Sequence, residues 1–301
     1  MTAISLPELT PYQDQPRQAP AGRVAKTGVA RLRFAQRGSK TILADMYRKT
    51  PLLVQQALYW DEALPDMACV YLISTSGCVL QGDRLHLSVN MAADTQAHLT
   101  TQSATKVHSM DANYALMEQR FELSERSYLE YMPGVTIPHR NSRYVTQTDI
   151  VVDPTATMLM SEIVMPGRKH HAGGEAFCYD LFSALVRVTR PGGSRLFTEK
   201  ILIEPAVMPV RSVGAMGKYD VFANVIALTP SECAREILAQ TDPGVVDGVY
   251  SGASVLPNDA GLIFKVIGSE SGPVKRRVRQ FWATVRATVL GAELHPEPRW
   301  G

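Results

Sequence analysis

A mainly β protein with about two α-helices is the fold this sequence predicts, and three observations lead to it. Alternation of apolar and polar side chains with a period of two dominates from Val29 onward, turn-forming residues punctuate it, and only two segments repeat at helical spacing. A strand is expected over residues 31–34. In the next, Leu85, Leu87, Val89 and Met91 alternate with His86, Ser88 and Asn90. Met117, Phe121 and Leu123 share a phase opposed by Glu118, Arg120 and Glu122, and Phe197, Ile201 and Ile203 do the same around Thr198, Lys200 and Leu202. Residues 144–152, 184–189 and 262–267 complete the strands, with turn chemistry at Asp153-Pro154 and Pro191-Gly192-Gly193.

The first helix is expected to open at Thr229-Pro230-Ser231-Glu232, which reads as a capping box with proline at the first helical position, and to carry Ile237 and Leu238. In the second, Val274, Val278, Phe281, Trp282, Val285 and Val289 recur on one face and Gly291 supplies the stop. Lys275, Arg276, Arg277 and Arg279 crowd its first turns, where positive charge opposes the helix dipole, so either acidic neighbours compensate or the cluster faces an acidic partner. No internal repeat is evident, and nothing divides the chain. Residues 1–22 hold Pro7, Pro11, Pro16 and Pro20 with few large apolar groups and read as a flexible tail, leaving 23–301 as a single domain.

The 301 residues are 45% hydrophobic and 20% charged, with a net charge of +2, so neither nucleic acid nor a membrane surface is implied. Cys69, Cys78, Cys178 and Cys233 are too scattered for a disulfide framework, and no basic region precedes an apolar one at the N-terminus, so a reduced cytoplasmic protein is expected. The best uncharged run, 67–81, is broken by Ser74, Thr75, Ser76 and Gly77 and falls short of the ~20 apolar residues of a membrane span.

Catalytic signatures are missing. There is no G-x-x-x-x-G-K-[ST] to cradle phosphates, no G-x-S-x-G elbow and no H-E-x-x-H. Gly77-Cys78-Val79-Leu80-Gln81-Gly82-Asp83 is a structured turn between strands rather than a dinucleotide fingerprint. His170-His171 lies in a glycine-flanked loop, and Leu99-Thr100-Thr101-Gln102-Ser103-Ala104-Thr105-Lys106 packs hydroxyl and amide groups into what composition alone reads as a turn. Glu130, Glu162 and Glu199 each interrupt apolar surroundings, where a carboxylate needs either a cationic partner or a function. One alternative is a hydrolase using Asp83 with His86, His98 or His108; another is a plain interaction scaffold without metal traffic.

Five segments follow one another along the chain: Gly82-Asp83-Arg84; Leu99-Thr100-Thr101-Gln102 through Ala104-Thr105-Lys106; Leu129-Glu130-Tyr131-Met132-Pro133; Glu162 leading to Gly167-Arg168; and Thr198-Glu199-Lys200, with Pro298-Arg299-Trp300 at the end. In this order they resemble the UreD (UreH) family of urease accessory proteins. Departures are Thr75-Ser76-Gly77-Cys78 where the family usually has Pro-Pro-Gly-Gly, Gln81-Gly82-Asp83 for Gly-Gly-Asp, Tyr131 for a common tryptophan, and Gly134-Val135 for Gln-Glu. The resemblance implies a β-helix-like stack of sheets with about two helices packed on it. It also implies a non-enzymatic scaffold that binds UreF, the GTPase UreG and urease apoprotein, and conveys Ni²⁺ to the urease active site with no permanently bound cofactor. On that basis Asp83, Glu162 and Glu199 are expected as transient nickel contacts, with Thr101, Ser103 and Glu130 lining the passage.

Overall fold

The computed structural model describes residues 6–14, 26–171 and 173–295. In chain order its strands are β1 (Thr27–Arg37), β2 (Lys40–Lys49), β3 (Leu52–Leu53), β4 (Ala68–Ser74), β5 (Arg84–Met91), β6 (Gln96–Thr101), β7 (Thr105–Val107), β8 (Ala115–Leu123) and β9 (Tyr128–Tyr131). There follow β10 (Thr136–Pro138), β11 (Arg143–Val152), β12 (Thr157–Val164), β13 (Leu181–Thr189), β14 (Arg195–Ile203), β15 (Val221–Leu228), β16 (Gly244–Val246), β17 (Val249–Val255) and β18 (Gly261–Gly268). Helix α1 is Ser231–Ala239 and helix α2 is Ser271–Leu290.

These strands make two sheets, ordered β14-β13-β11-β8-β5-β1-β2 and β16-β17-β18-β15-β12-β9-β6-β4-β3, with β7 and β10 attached beside β12. From β4 to β13 the chain winds between them. β5, β8, β11 and β13 are parallel neighbours in the first sheet; β4, β6, β9 and β12 are parallel neighbours in the second. The result is a short β-coil, with antiparallel strands extending both sheets. Parallel strands must be joined by crossovers rather than tight hairpins, and here the crossover is the opposite sheet itself.

Stacking in register sets the interior. Val89, Phe121, Ile150 and Val188 form one inward row, all buried and apolar. One step along each strand the row is Leu87, Gln119, Thr148 and Val186, and another step on it is Leu85, Met117, Thr146 and Ala184. On the first sheet, polar groups therefore enter these rows only in the middle turns, on β8 and β11.

A second core lies on the outer face of the second sheet, where α1 and α2 cover Leu159, Ile163, Val225, Leu262, Phe264 and Val266. Phe281 stacks on Phe264 with ring centres 4.4 Å apart. Val274, Val278, Phe281, Trp282 and Val285 are the buried face expected for α2, and Gly291 ends it in the left-handed conformation at φ 61°. No helix among the described residues is long and apolar enough to cross a membrane.

Two local expectations change. Residues 6–14, assigned by composition to a flexible tail, are docked on the outer face of the first sheet. Leu6 and Leu9 are buried against Val145, Leu181 and Leu185, and Glu8 reaches Ser183 at 2.7 Å and pairs with Lys200. The remainder of 1–22 lies outside the described residues. Nor does Thr229 cap α1: Pro230 occupies that position without a side-chain bond, while the Thr229 hydroxyl meets that of Thr157 at 2.9 Å.

Candidate functional site

Between the sheets, where the polar rows fall, lies a cavity of about 110 Å³. Its inner wall comes from β8, β9, β11 and β12. Thr148 Oγ1 donates to Gln119 Oε1 at 2.8 Å, and Gln119 Nε2 donates to the Tyr131 hydroxyl at 2.8 Å. Tyr144 is 5% exposed, and its hydroxyl makes no hydrogen bond among the described residues. Its mouth is formed by the β4–β5 turn at Gly77 and Cys78, the β6–β7 turn from Thr101 to Lys106, and Pro133-Gly134. Thr101 braces that rim: its Oγ1 donates to Ser103 O at 2.9 Å and accepts from Gly134 N at 2.8 Å. A Cβ at Gly134 would sit 3.0 Å from Ser103 O, which is why the loops close up only around glycine.

Glu162 is the carboxylate of this cavity. It lies on β12 in the same phase as Met158 and Met160, which belong to the core between the sheets. Protein surrounds it, and the surface it keeps faces the cavity. Its one polar contact is the Thr146 hydroxyl at 3.5 Å, and among the described residues no arginine, lysine or histidine pairs with it. Burial raises its pKa to about 7, with the Thr146 contact opposing weakly. The group therefore sits between its neutral and ionised forms near neutral pH, and a cation entering the cavity would favour the ionised form.

Of the other residues singled out from sequence, Thr101 and Ser103 line the same cavity. Asp83 does not. Its carboxylate is buried at the foot of the β4–β5 turn, accepting from Lys26 N at 3.0 Å and Leu80 N at 2.8 Å. Burial raises its pKa against those two bonds. Glu199 is on edge strand β14 and pairs with Lys265 on β18. Glu130 points to the opposite face of the second sheet.

There Glu130 enters a buried charged cluster under α2. Arg286 donates to it twice, Nε to Oε1 at 2.8 Å and Nη2 to Oε2 at 2.7 Å. His98 Nδ1 lies 2.9 Å from Oε2, and the Tyr128 hydroxyl donates to Oε1 at 2.8 Å. Arg286 also reaches Asp61. Burial alone would raise the Glu130 pKa, but the bonds from His98 and Arg286 prevail and hold it at about 2. Sequence inspection missed Arg286 and Asp61 because their partners are 156 and 225 residues away, beyond the reach of any local pattern.

The hydrolase arrangement does not assemble. His86 meets Glu118 at 2.8 Å, His98 meets Glu130, and His108 Nδ1 lies 3.2 Å from Ser109 O, so none hydrogen-bonds Asp83. No three His, Cys, Asp or Glu groups among the described residues converge to hold a metal ion. His170 is exposed in its loop, 3.7 Å from Glu270.

A two-sheet β-coil with an apolar core and a partly polar cavity in it, backed by two helices, is thus the class that fold and site define. The family model of the UreD urease accessory protein matches residues 26–301, and the chain belongs to that family. A urease accessory protein UreD of Yersinia pseudotuberculosis serotype O:1b is 49% identical over 299 residues, covering 99% of this chain and 93% of the relative. That of Photorhabdus laumondii is 49% identical over 297 residues, covering 98% and 92%. A protein named urease accessory protein UreD 2 from Brucella suis biovar 1 is 48% identical over 295 residues, covering 97% and 98%.

Proposed function

We propose that this chain is a cytoplasmic scaffold for urease maturation that works with UreF, the GTPase UreG and urease apoprotein, and that Ni²⁺ passes through the cavity between its sheets as cargo. The observation that carries this reading is Glu162, a carboxyl without a cationic partner that faces a cavity whose other polar lining is mostly neutral hydroxyl and amide groups, set among apolar side chains with Lys106 at the rim. A resident metal site would hold its ion; a passage has to admit and release it. One carboxylate with the Thr146 and Tyr144 hydroxyls behind it and Thr101 and Ser103 at the mouth suits transient contact. Asp83 then supports the passage by holding the β4–β5 turn, and Glu199 stands on the surface away from it. Nucleotide hydrolysis and metal release fall to the GTPase, and this chain supplies no catalytic group.

The test is to plug the mouth. Ser103→Trp places a large ring at an exposed rim position, so the fold and the complex with urease should persist while nickel content and activity of the matured urease fall severalfold. Normal nickel content with the tryptophan in place would exclude this cavity as the route and leave a scaffold without metal traffic.

A further inference from the structure

Resting on the passage reading, we propose that Cys78 is a sulfur contact that selects the metal at the mouth. Cys78 stands in the turn after β4, partly exposed, and lines the cavity beside Thr101 and Ser103. The other cysteines do not line it: Cys69 is buried in the sheet, and Cys178 and Cys233 lie elsewhere. A single thiol would say little by itself, but it opens onto a cavity holding two buried polar groups that the protein leaves available to a ligand. Tyr144 is 5% exposed and its hydroxyl is unbonded among the described residues, and Glu162 has only the long Thr146 contact.

The need for a thiolate follows from the other groups of the wall, which are oxygens, the buried and uncharged thioethers of Met117 and Met160, and the Lys106 ammonium at the rim. Carboxylate, hydroxyl and carbonyl oxygens suit Mg²⁺, Ca²⁺ and Mn²⁺ as well as they suit later transition metals, whereas thiolate favours the softer ions. A mouth offering oxygen donors alone would therefore discriminate poorly against Mg²⁺. One sulfur at the entrance supplies discrimination without a cage, since a single thiolate with mobile water holds an ion far less firmly than a site built of four thiolates. On capture the Cys78 S–H bond breaks, its proton goes to bulk water and the sulfur lone pair forms the bond to the metal. No electron changes hands, and the step reverses when the proton returns and the ion moves inward.

The experiment is alkylation of the full-length chain by iodoacetamide with Ni²⁺ alone, Mg²⁺ alone or no metal, read cysteine by cysteine by peptide mass spectrometry. Ni²⁺ should slow modification of Cys78 severalfold, leave Cys178 and Cys233 at their unprotected rates, and have no counterpart with Mg²⁺. An unchanged Cys78 rate, equal slowing at all three cysteines, or equal protection by Mg²⁺ would overturn the proposal. Protection at Cys78 together with normal urease nickel in the Ser103→Trp protein would keep a thiol metal site while removing the passage. Absent protection with a working mouth block would remove the selector alone.

Discussion

Glu130, fully buried, and Glu162, enclosed by protein but open to the cavity, lie on neighbouring parallel strands of one sheet, yet they face opposite ways and live under opposite chemistry. Glu130, on β9, looks outward to α2 and accepts bonds from Arg286 and Tyr128 beside His98. Glu162, on β12, looks inward to a cavity and meets one hydroxyl at 3.5 Å. The same residue type in similar apolar sequence is compensated in one place and uncompensated in the other. A fully bonded buried charge joins elements together, whereas an unpaired one facing a cavity costs stability and persists where something else uses it.

Breaking the compensated site should have the largest effect. Arg286→Ala leaves Glu130 and Asp61 buried without their cation, and removal of one partner from such a site costs about 3–5 kcal/mol. Urea denaturation should show that loss, and it should be accompanied by loosening of α2. A midpoint within experimental error of the unsubstituted protein would erase the contrast.

Glu162→Gln should move stability the other way, and only above a defined pH. The folded pKa of about 7 is raised above the ordinary value of 4.5, so the folded protein binds the extra proton between those values and stability falls as pH rises through that window. Glutamine cannot ionise and escapes the loss. At pH 8 the variant should be more stable by an amount bounded by on the order of 3 kcal/mol, with the gain vanishing near pH 4. A gain equal at both pH values would show that ionisation of Glu162 is not the cause.

Asp83→Asn should destabilise by about 1–3 kcal/mol, because an amide cannot accept equally at both oxygens and one of the Lys26 and Leu80 amides loses its partner. Thermal melts read this directly. Smallest is Glu199→Gln, which removes a pairing with the exposed Lys265 and should change stability by under about 1 kcal/mol.

The half-solvated strands were legible because alternation survives where one face meets water or a polar interior. Leu85 to Met91 on β5 and Met117 to Leu123 on β8 are of that kind. Strands buried on both faces were not: Thr157–Val164 reads as a continuous run, since Met158 and Met160 face the cavity side while Leu159 and Ile163 face α2. The coil was implied by the family resemblance to a β-helix-like stack, yet it was not legible as an internal repeat, for a related reason. Its turns match in register, but the stacked positions hold Leu87, Gln119, Thr148 and Val186, with no shared residue type to make a repeat. Leu99 to Lys106, read as a turn, is instead two strands, β6 and β7, flanking one. At the site, sequence marked Glu162, Thr101 and Ser103, which the fold brings together, and also Asp83, Glu130 and Glu199, which it separates. What distinguishes the three glutamates is whether a cation lies across from them, and Arg286 and Lys265 come from elsewhere in the chain.

The most direct measurement compares two carboxylates under nickel limitation. Urease matured with the Glu162→Gln protein, at equal yield of the complex, should contain severalfold less nickel than urease matured with the Glu199→Gln protein, which should load normally. Equal and normal nickel in both would contradict the claim that Glu162 serves the passage of the ion.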